Sequence, residues 1–165
     1  MKTNNPDDWI KHLGLIKHPE GGYFKEAYRS DETISSLALP ERFAGDRAFS
    51  TSIFYLLKQG EYSKFHKIKS DETWHFYDGS PLELLIIDFN GTLKKVQIGL
   101  DPASGLIPQF TVPAGHWFAA HSLGEYTLLG CTVSPGFDFT DFEMANQKTL
   151  IAAFPQCKKV IKQFT

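Results

Sequence analysis

Between Gly60 and Gly79 the chain reads GEYSKFHKIKSDETWHFYDG. Two runs rich in β-branched and aromatic residues, YSKFHKI and ETWHFYDG, flank Lys69, Ser70 and Asp71, a pattern of strand, short turn and strand. Side chains alternate along a strand, so His66 and Ile68 point to one side of it. Glu72, just past the turn, can face them from the neighbouring strand. One stretch therefore predicts both a β architecture and a histidine–carboxylate pair inside it.

The same texture extends outward in both directions. YFKEAYRS, FSTSIFYLL, LELLIIDF, TLKKVQIG, QFTVP, HWFAAHS and YTLLGCTV fall between Tyr23 and Val133, separated by Gly, Pro, Asn or Asp. Asn90-Gly91 fits a type I′ hairpin turn. A long series of short strands without helical crossovers reads as all-β, a sandwich or barrel rather than βαβ units. Asn5-Pro6-Asp7-Asp8 followed by WIKHLG predicts a capped helix ended by Gly14. In the tail, Thr140-x-x-Glu143 reads as a capping box before the short helices KTLIAAFP and CKKVIKQF around Pro155. The reading is one domain over 1–165: a helical segment 1–14, a β-barrel over about 20–135, and a helical tail over about 140–165.

Composition narrows the class. At 165 residues, with 42% apolar and 14% aromatic residues, the chain can build one good-sized core and is too apolar for disorder. No stretch approaches the roughly 18 uncharged residues of a membrane helix, and the first residues lack the apolar run of a secretory leader. The 17 basic and 19 acidic residues form no long run, which argues against nucleic acid as a partner. Lys158–Lys159 reads as a solvated helix face. Cys131 and Cys157 are far apart; Cys131, within TLLGCTV, reads as a buried thiol, and a cytoplasmic location is expected.

The spacing of Gly60, His66, Ile68, Glu72 and Gly79 resembles the first cupin motif, G-x5-H-x-H-x(3–4)-E-x6-G, except that Ile68 replaces the second histidine. Pro113-Ala114-Gly115-His116-Trp117-Phe118 is a weaker echo of the second motif, with Phe118 in place of its histidine and Ser122 in place of its asparagine. In metal cupins these positions surround one divalent ion. With two of four ligands apolar here, the resemblance implies no cofactor, unless His75, His116 or His121 compensates. His116 shares strand parity with Phe118 and can point inward, whereas His75 has opposite parity to Glu72 and is expected to face out.

HPEGGYFKEAYRS, FHKIKSDETWHFYDG, VPAGHWFAAHS and TVSPGFDFTDFEMA together resemble the uncharacterised "cupin 5" family, over about Leu13 to Phe154. That resemblance implies a double-stranded β-helix (jelly roll), a homodimer, an internal pocket and no assigned reaction. More distantly, Glu20-Gly21-Gly22-Tyr23-Phe24-Lys25-Glu26 is similar to the entry strand D-R-G-F-F-x-E of the dTDP-4-keto-6-deoxy-sugar 3,5-epimerases, metal-free cupins whose base histidine falls at His66. Gly21 stands in place of their phosphate-binding arginine and Trp74 in place of their active-site lysine, so nucleotide-sugar chemistry is not expected to carry over.

His66 and Glu72 are the candidate catalytic pair; the plainer alternative is a buried pair that stabilises the barrel. Trp74 and Phe118 suit either ligand stacking or core, and Phe76 reads as core. His116 joins the candidate binding residues, as do Glu26 and Tyr28, which share a strand face with Phe24. Phe137, Phe139, Asp138, Asp141 and Glu143 read as a tail clasping the barrel, and His12 and His18 as surface residues. Three classes stay open: a metal-independent isomerase, epimerase or lyase acting on a small molecule; a metal-dependent cupin with an atypical ligand set; and a small-molecule sensor without turnover.

Overall fold

In the computed structural model, which describes residues 5–165, the expected first helix α1 spans Pro6–Leu13. The Asn5 side chain accepts the Asp8 backbone N–H, the Asp8 carboxylate accepts the Asn5 N–H, and Gly14 closes the helix at φ 65°.

Among the described residues, nine strands follow where the alternation places them. β1 (Ile16–Lys17), β2 (Tyr23–Arg29), β3 (Thr33–Ile34), β4 (Arg47–Ala48), β5 (Thr51–Lys58) and β6 (Tyr62–Lys67) occupy the first half. β7 (Asp71–Gly79), β8 (Leu82–Ile87), β9 (Leu93–Ile98), β10 (Gln109–Val112), β11 (Trp117–Ser122), β12 (Tyr126–Ser134) and β13 (Glu143–Met144) complete the set. The four two-residue strands, β1, β3, β4 and β13, lie outside the runs that the alternation picks out. They form a six-stranded sheet, β1-β2-β5-β12-β7-β10, and a five-stranded sheet, β13-β6-β11-β8-β9, with β3-β4 as a separate ribbon. All named strand pairs are antiparallel.

The inward faces of the two sheets meet in one core, with Tyr55, Leu57, Trp74 and Leu129 from the first packed against Leu84, Ile86 and Phe118 from the second. Period-2 alternation sends other side chains outward, and helices cover them. Phe65, Leu85 and Ala119 on the back of the five-stranded sheet lie under α2 (Gln147–Ala153) and α3 (Lys158–Gln163) through Leu150, Ile161 and Phe164. Leu56 and Leu128, on the back of the other sheet, are covered by Trp9, Ile10 and Leu13 of α1.

Two local expectations fail. A type I′ turn needs positive φ at both central residues, but only Gly91 (φ 78°) has it. Instead the Asp88 carboxylate accepts the N–H groups of Asn90 and Thr92, building a wider loop between β8 and β9. The Thr140–Glu143 capping box does not form either. Asp138 caps a short 3₁₀ turn, Glu143 enters β13, and Asn146 caps α2.

Candidate active-site cavity

The jelly roll leaves a cavity of about 350 Å³ at one end of the inter-sheet core, lined by β2, β5, β7 and β12 on one side and by His66 and Ile68 on the other. Residues 18–20 and 137–142 complete the wall.

The entry turn brings in the group that organises the site. Gly21 (φ 119°) and Gly22 (φ 68°) lie against the β5 and β6 backbones: a Cβ on Gly21 would collide with the Tyr62 carbonyl oxygen, and one on Gly22 would lie 2.7 Å from the Leu56 oxygen. This close approach lets the Glu20 carbonyl accept the Lys64 N–H at 3.0 Å and turns the Glu20 side chain inward. Glu20 is 6% exposed; its carboxylate receives the Ser63 hydroxyl at 2.9 Å on Oε1 and meets His66 Nε2 at 3.2 Å with Oε2.

His66 is fixed on its other side. Nδ1 lies 2.7 Å from the Lys64 carbonyl, an acceptor only, so Nδ1 carries a hydrogen. A proton therefore lies between Nε2 and Glu20 Oε2. The imidazole rests on Phe118, centroids 4.1 Å apart. His18 stands on the far side of Glu20, its Nδ1 accepting the Glu20 backbone N–H at 3.3 Å, which leaves its ring hydrogen on Nε2. Burial lowers the His18 pKa more than Glu20 raises it, and His66 lowers it further, so His18 is a neutral imidazole in the wall.

Glu72 is a third buried group, and its neighbours in the cavity are acidic rather than cationic. Its pKa is pushed up to about 8 by desolvation first and by the Glu20 charge second, while the Cys131 thiol hydrogen bond works the other way. Burial also pushes the Cys131 thiol well above its ordinary value, so it is an unreactive neutral donor. At neutral pH the cavity thus holds a protonated carboxyl at Glu72, beside the hydrogen-bonded contact of Glu20 and His66.

At the mouth, β2 carries a bulge. Glu26 pairs with Ile53 and Tyr28 with Ser52, so Ala27 is the extra residue and the face of the strand flips. Arg29 consequently joins Phe24 and Glu26 on the cavity side, whereas Tyr28 is 55% exposed and outside it.

The alternation holds for Glu26, His66 and Glu72, all of which line the cavity, and for His75, which bonds Thr132 Oγ1 outside it. Three further expectations are corrected besides Tyr28. Trp74 faces inward as its parity requires but points to the filled end of the barrel, fully buried against Tyr55 and Phe118. Phe118 is 1% exposed and supports His66 from behind rather than lining the space. His116 precedes β11 and sits in the turn, Nδ1 near the Pro113 and Ala114 carbonyls and its ring 4.6 Å from Phe89, away from the cavity. The partner of His66 is Glu20, not Glu72. His18, Phe137, Asp138 and Phe139, read as surface or tail residues, line the wall. The cue for Glu20 is the entry-strand pattern E-G-G-Y-F-K-E, where a paired glycine turn follows an acid.

The residues do not fit the metal centre typical of the fold. Ile68 and Phe118 replace two imidazole positions, and His75 and His116 lie elsewhere. Among the described residues no group of three or more His, Cys, Asp or Glu is arranged to hold a metal ion. No helix among them is long and apolar enough to cross a membrane.

Known proteins share this architecture. An X-ray structure of a Shewanella oneidensis protein superposes with a TM-score of 0.89 at 40% identity over 99% of this chain and 98% of its own. A hypothetical protein from Leishmania major gives 0.89 at 33% identity, over 98% and 99% of the two chains. An uncharacterized Saccharomyces cerevisiae protein is 33% identical over 146 residues, 82% of this chain and 70% of that protein. Oxalate decarboxylase from Bacillus subtilis, at 17% identity and a TM-score of 0.56 over 36% of its own length, shares the fold alone. The family described as Cupin superfamily (DUF985) matches residues 7–145, and the chain belongs to that family, Cupin_5.

Proposed function

We propose that the cavity binds a small, partly polar molecule and that the protein is a metal-independent acid–base catalyst of the isomerase or epimerase type. The carrying observation is the 3.2 Å contact between His66 Nε2 and Glu20 Oε2 in a cavity that also contains protonated Glu72. Both His66 nitrogens are engaged and keep no lone pair for a substrate, whereas a carboxylate oxygen has a second one, so the base is Glu20 Oε2, oriented by His66 and Ser63. In an isomerisation, Oε2 removes a proton from carbon beside a carbonyl while Glu72 protonates the carbonyl oxygen. Glu20 then returns the proton to the former carbonyl carbon as Glu72 recovers its own from the neighbouring hydroxyl. In an epimerisation, Glu20 takes the proton on one face and water, through the open mouth, supplies one on the other. The proton removed is replaced by one proton at carbon, so the reaction balances without an oxidant or reductant.

The resemblance of the entry strand to the sugar 3,5-epimerases supports this class, though not their nucleotide substrates. No side chain, let alone an arginine, has room at Gly21. Edges at β1, β10, β13 and β9 and exposed apolar residues such as Tyr28 and Ile16 support a twofold homodimer as the working form.

Ligand-observed NMR against a panel of small hydroxy- and amino-carbonyl compounds tests the site, with Glu20→Gln and His66→Gln beside the wild type. Binders weakened in both variants are expected. Binders held equally by all three proteins would place recognition elsewhere, and binding without any exchange of carbon-bound hydrogen would leave a sensor rather than an enzyme.

A further inference from the structure

The cavity wall is charged asymmetrically. Four carboxyl groups face it, Glu20, Glu26, Glu72 and Asp138. Glu72 is protonated, Glu26 is paired with Arg29 and Glu20 with His66, so Asp138 is, among the described residues, the one lining carboxylate without an ion-pair partner. The Arg29 guanidinium is already neutralised: Nε and Nη2 donate to the two Glu26 oxygens at 3.1 and 2.7 Å, and Nη1 donates to the Phe137 carbonyl at 3.2 Å. His18 is uncharged, and His66 is already in contact with Glu20 at 3.2 Å. Asp138 accepts from the neutral donors of Thr140, N–H at 2.8 Å and Oγ–H at 2.7 Å, and feels Arg47 and Arg29 through space. Among the described residues that line the cavity, a carboxylate or phosphate at the mouth would find no unmatched cation and would meet the Asp138 carboxylate.

The mouth also presents aromatic faces. Phe137, Phe139 and Phe142 lie with centroids 5.0 to 6.2 Å apart and planes inclined by 68° to 81° to one another, close to three walls of a corner. Phe139 is 55% exposed, so burial in a core does not account for its place beside Asp138. The negative face of an aromatic ring attracts cations, most strongly where water is partly excluded.

We propose that the molecule taken by this cavity carries a positive charge, an ammonium or other small organic cation seated against Phe137, Phe139 and Phe142 beside Asp138. The proposal rests on the reading above that the cavity is a ligand site, and it names the substrate class for it. The partly apolar depth below, formed by Phe24, Ile53 and Val133, would hold the uncharged body with its reacting carbon near Glu20.

Three probes of matched shape test it: choline, its uncharged carbon isostere 3,3-dimethylbutan-1-ol, and 3,3-dimethylbutanoate. Binding is followed by titration calorimetry and by shifts of cavity resonances in the wild type, Phe139→Ala and Asp138→Asn. The amide introduced by Asp138→Asn keeps an oxygen that can accept from Thr140, and Phe139 is exposed, so both variants should fold. Choline is expected to bind about ten-fold or more tightly than the alcohol, with the butanoate weakest, and to lose about three-fold or more in Phe139→Ala. Asp138→Asn should narrow the preference for choline over the alcohol. Equal binding of choline and alcohol, preference for the butanoate, or no choline binding at tens of millimolar overturns the charge assignment. Alcohol or butanoate bound in the cavity while choline is rejected would do so and yet leave the cavity a ligand site. Unchanged binding of every probe in Glu20→Gln would instead count against the catalytic reading.

Discussion

Glu20 Oε2 lies 3.2 Å from His66 Nε2 because the Gly21-Gly22 turn runs hard against the backbone of the strand that carries the histidine. The contact joins the entry segment to the motif strand and makes a hydrogen-bonded unit of two buried groups that sequence order keeps far apart. A Cβ at Gly21 would strike the Tyr62 carbonyl and would also sit at φ 119°. Gly21→Ala should therefore cost on the order of 2 kcal/mol or more in urea unfolding. A loss below about 0.5 kcal/mol would show that the turn has slack and does not fix Glu20.

Glu72 should leave its mark on stability. In the folded protein its carboxyl holds a proton up to about pH 8, whereas an exposed glutamate loses its proton above about pH 4.5. Between those values the native state binds more protons, so stability falls as pH rises and levels off above about pH 8. The full effect is of the order of a few kcal/mol. Glu72→Gln should remove this slope and exceed the wild type in stability at alkaline pH while matching it near about pH 4. Parallel pH curves for the two proteins, followed by chemical denaturation, would contradict a buried carboxyl that holds its proton to about pH 8.

If the cavity catalyses the proposed chemistry, the same proton sets an alkaline limit on its rate. Once Glu72 ionises it can no longer donate to an enolate, so the rate should decline above about pH 8. Glu72→Gln, whose amide still donates, should flatten that limb. A wild-type profile that keeps rising well beyond that pH would exclude Glu72 as the acid.

The aromatic mouth depends on a buried clamp. Arg47 Nε and Nη2 donate to the two Asp141 oxygens, each at 2.7 Å, and both side chains are buried. Asp141 lies between Phe139 and Phe142, so this pair holds the segment that closes the cavity. Asp141→Leu alone leaves a buried guanidinium and should cost about 3–5 kcal/mol, most of it recovered with Arg47→Met added. A single substitution as mild as the double one would show that the guanidinium finds water instead.

Assembly is tested by sedimentation. A twofold homodimer burying on the order of 1,000 Å² or more is expected at micromolar concentration. A monomer across that range would mean that Tyr28 and Ile16 are simply exposed.

Much of this architecture is legible from local pattern. The strands between Tyr23 and Val133, α1 with its Asn5 cap, and the outward placement of His75 follow from period and cap chemistry alone. Depth along the barrel is not local: alternation sends Trp74 and Glu72 to the same face, but only packing decides that one fills the core and the other meets the cavity. A single inserted residue at Ala27 exchanges Tyr28 for Arg29 at the mouth, and nothing in the alternation of YFKEAYR announces it. Glu20 and His18 escape the same reasoning because they precede the first long strand and reach the site through a glycine turn.

Hydrogen exchange at carbon measures the proposed chemistry itself. Small carbonyl compounds identified as binders are incubated with the protein in deuterium oxide, with chelator present, and deuterium at the carbon beside the carbonyl is followed by NMR. Incorporation is expected with the wild type, reduced about 100-fold or more in Glu20→Gln and less severely in His66→Gln, with the fold of both variants intact. Incorporation that survives unchanged in Glu20→Gln, or that appears only when a divalent metal is added, would contradict a metal-independent Glu20–His66 base.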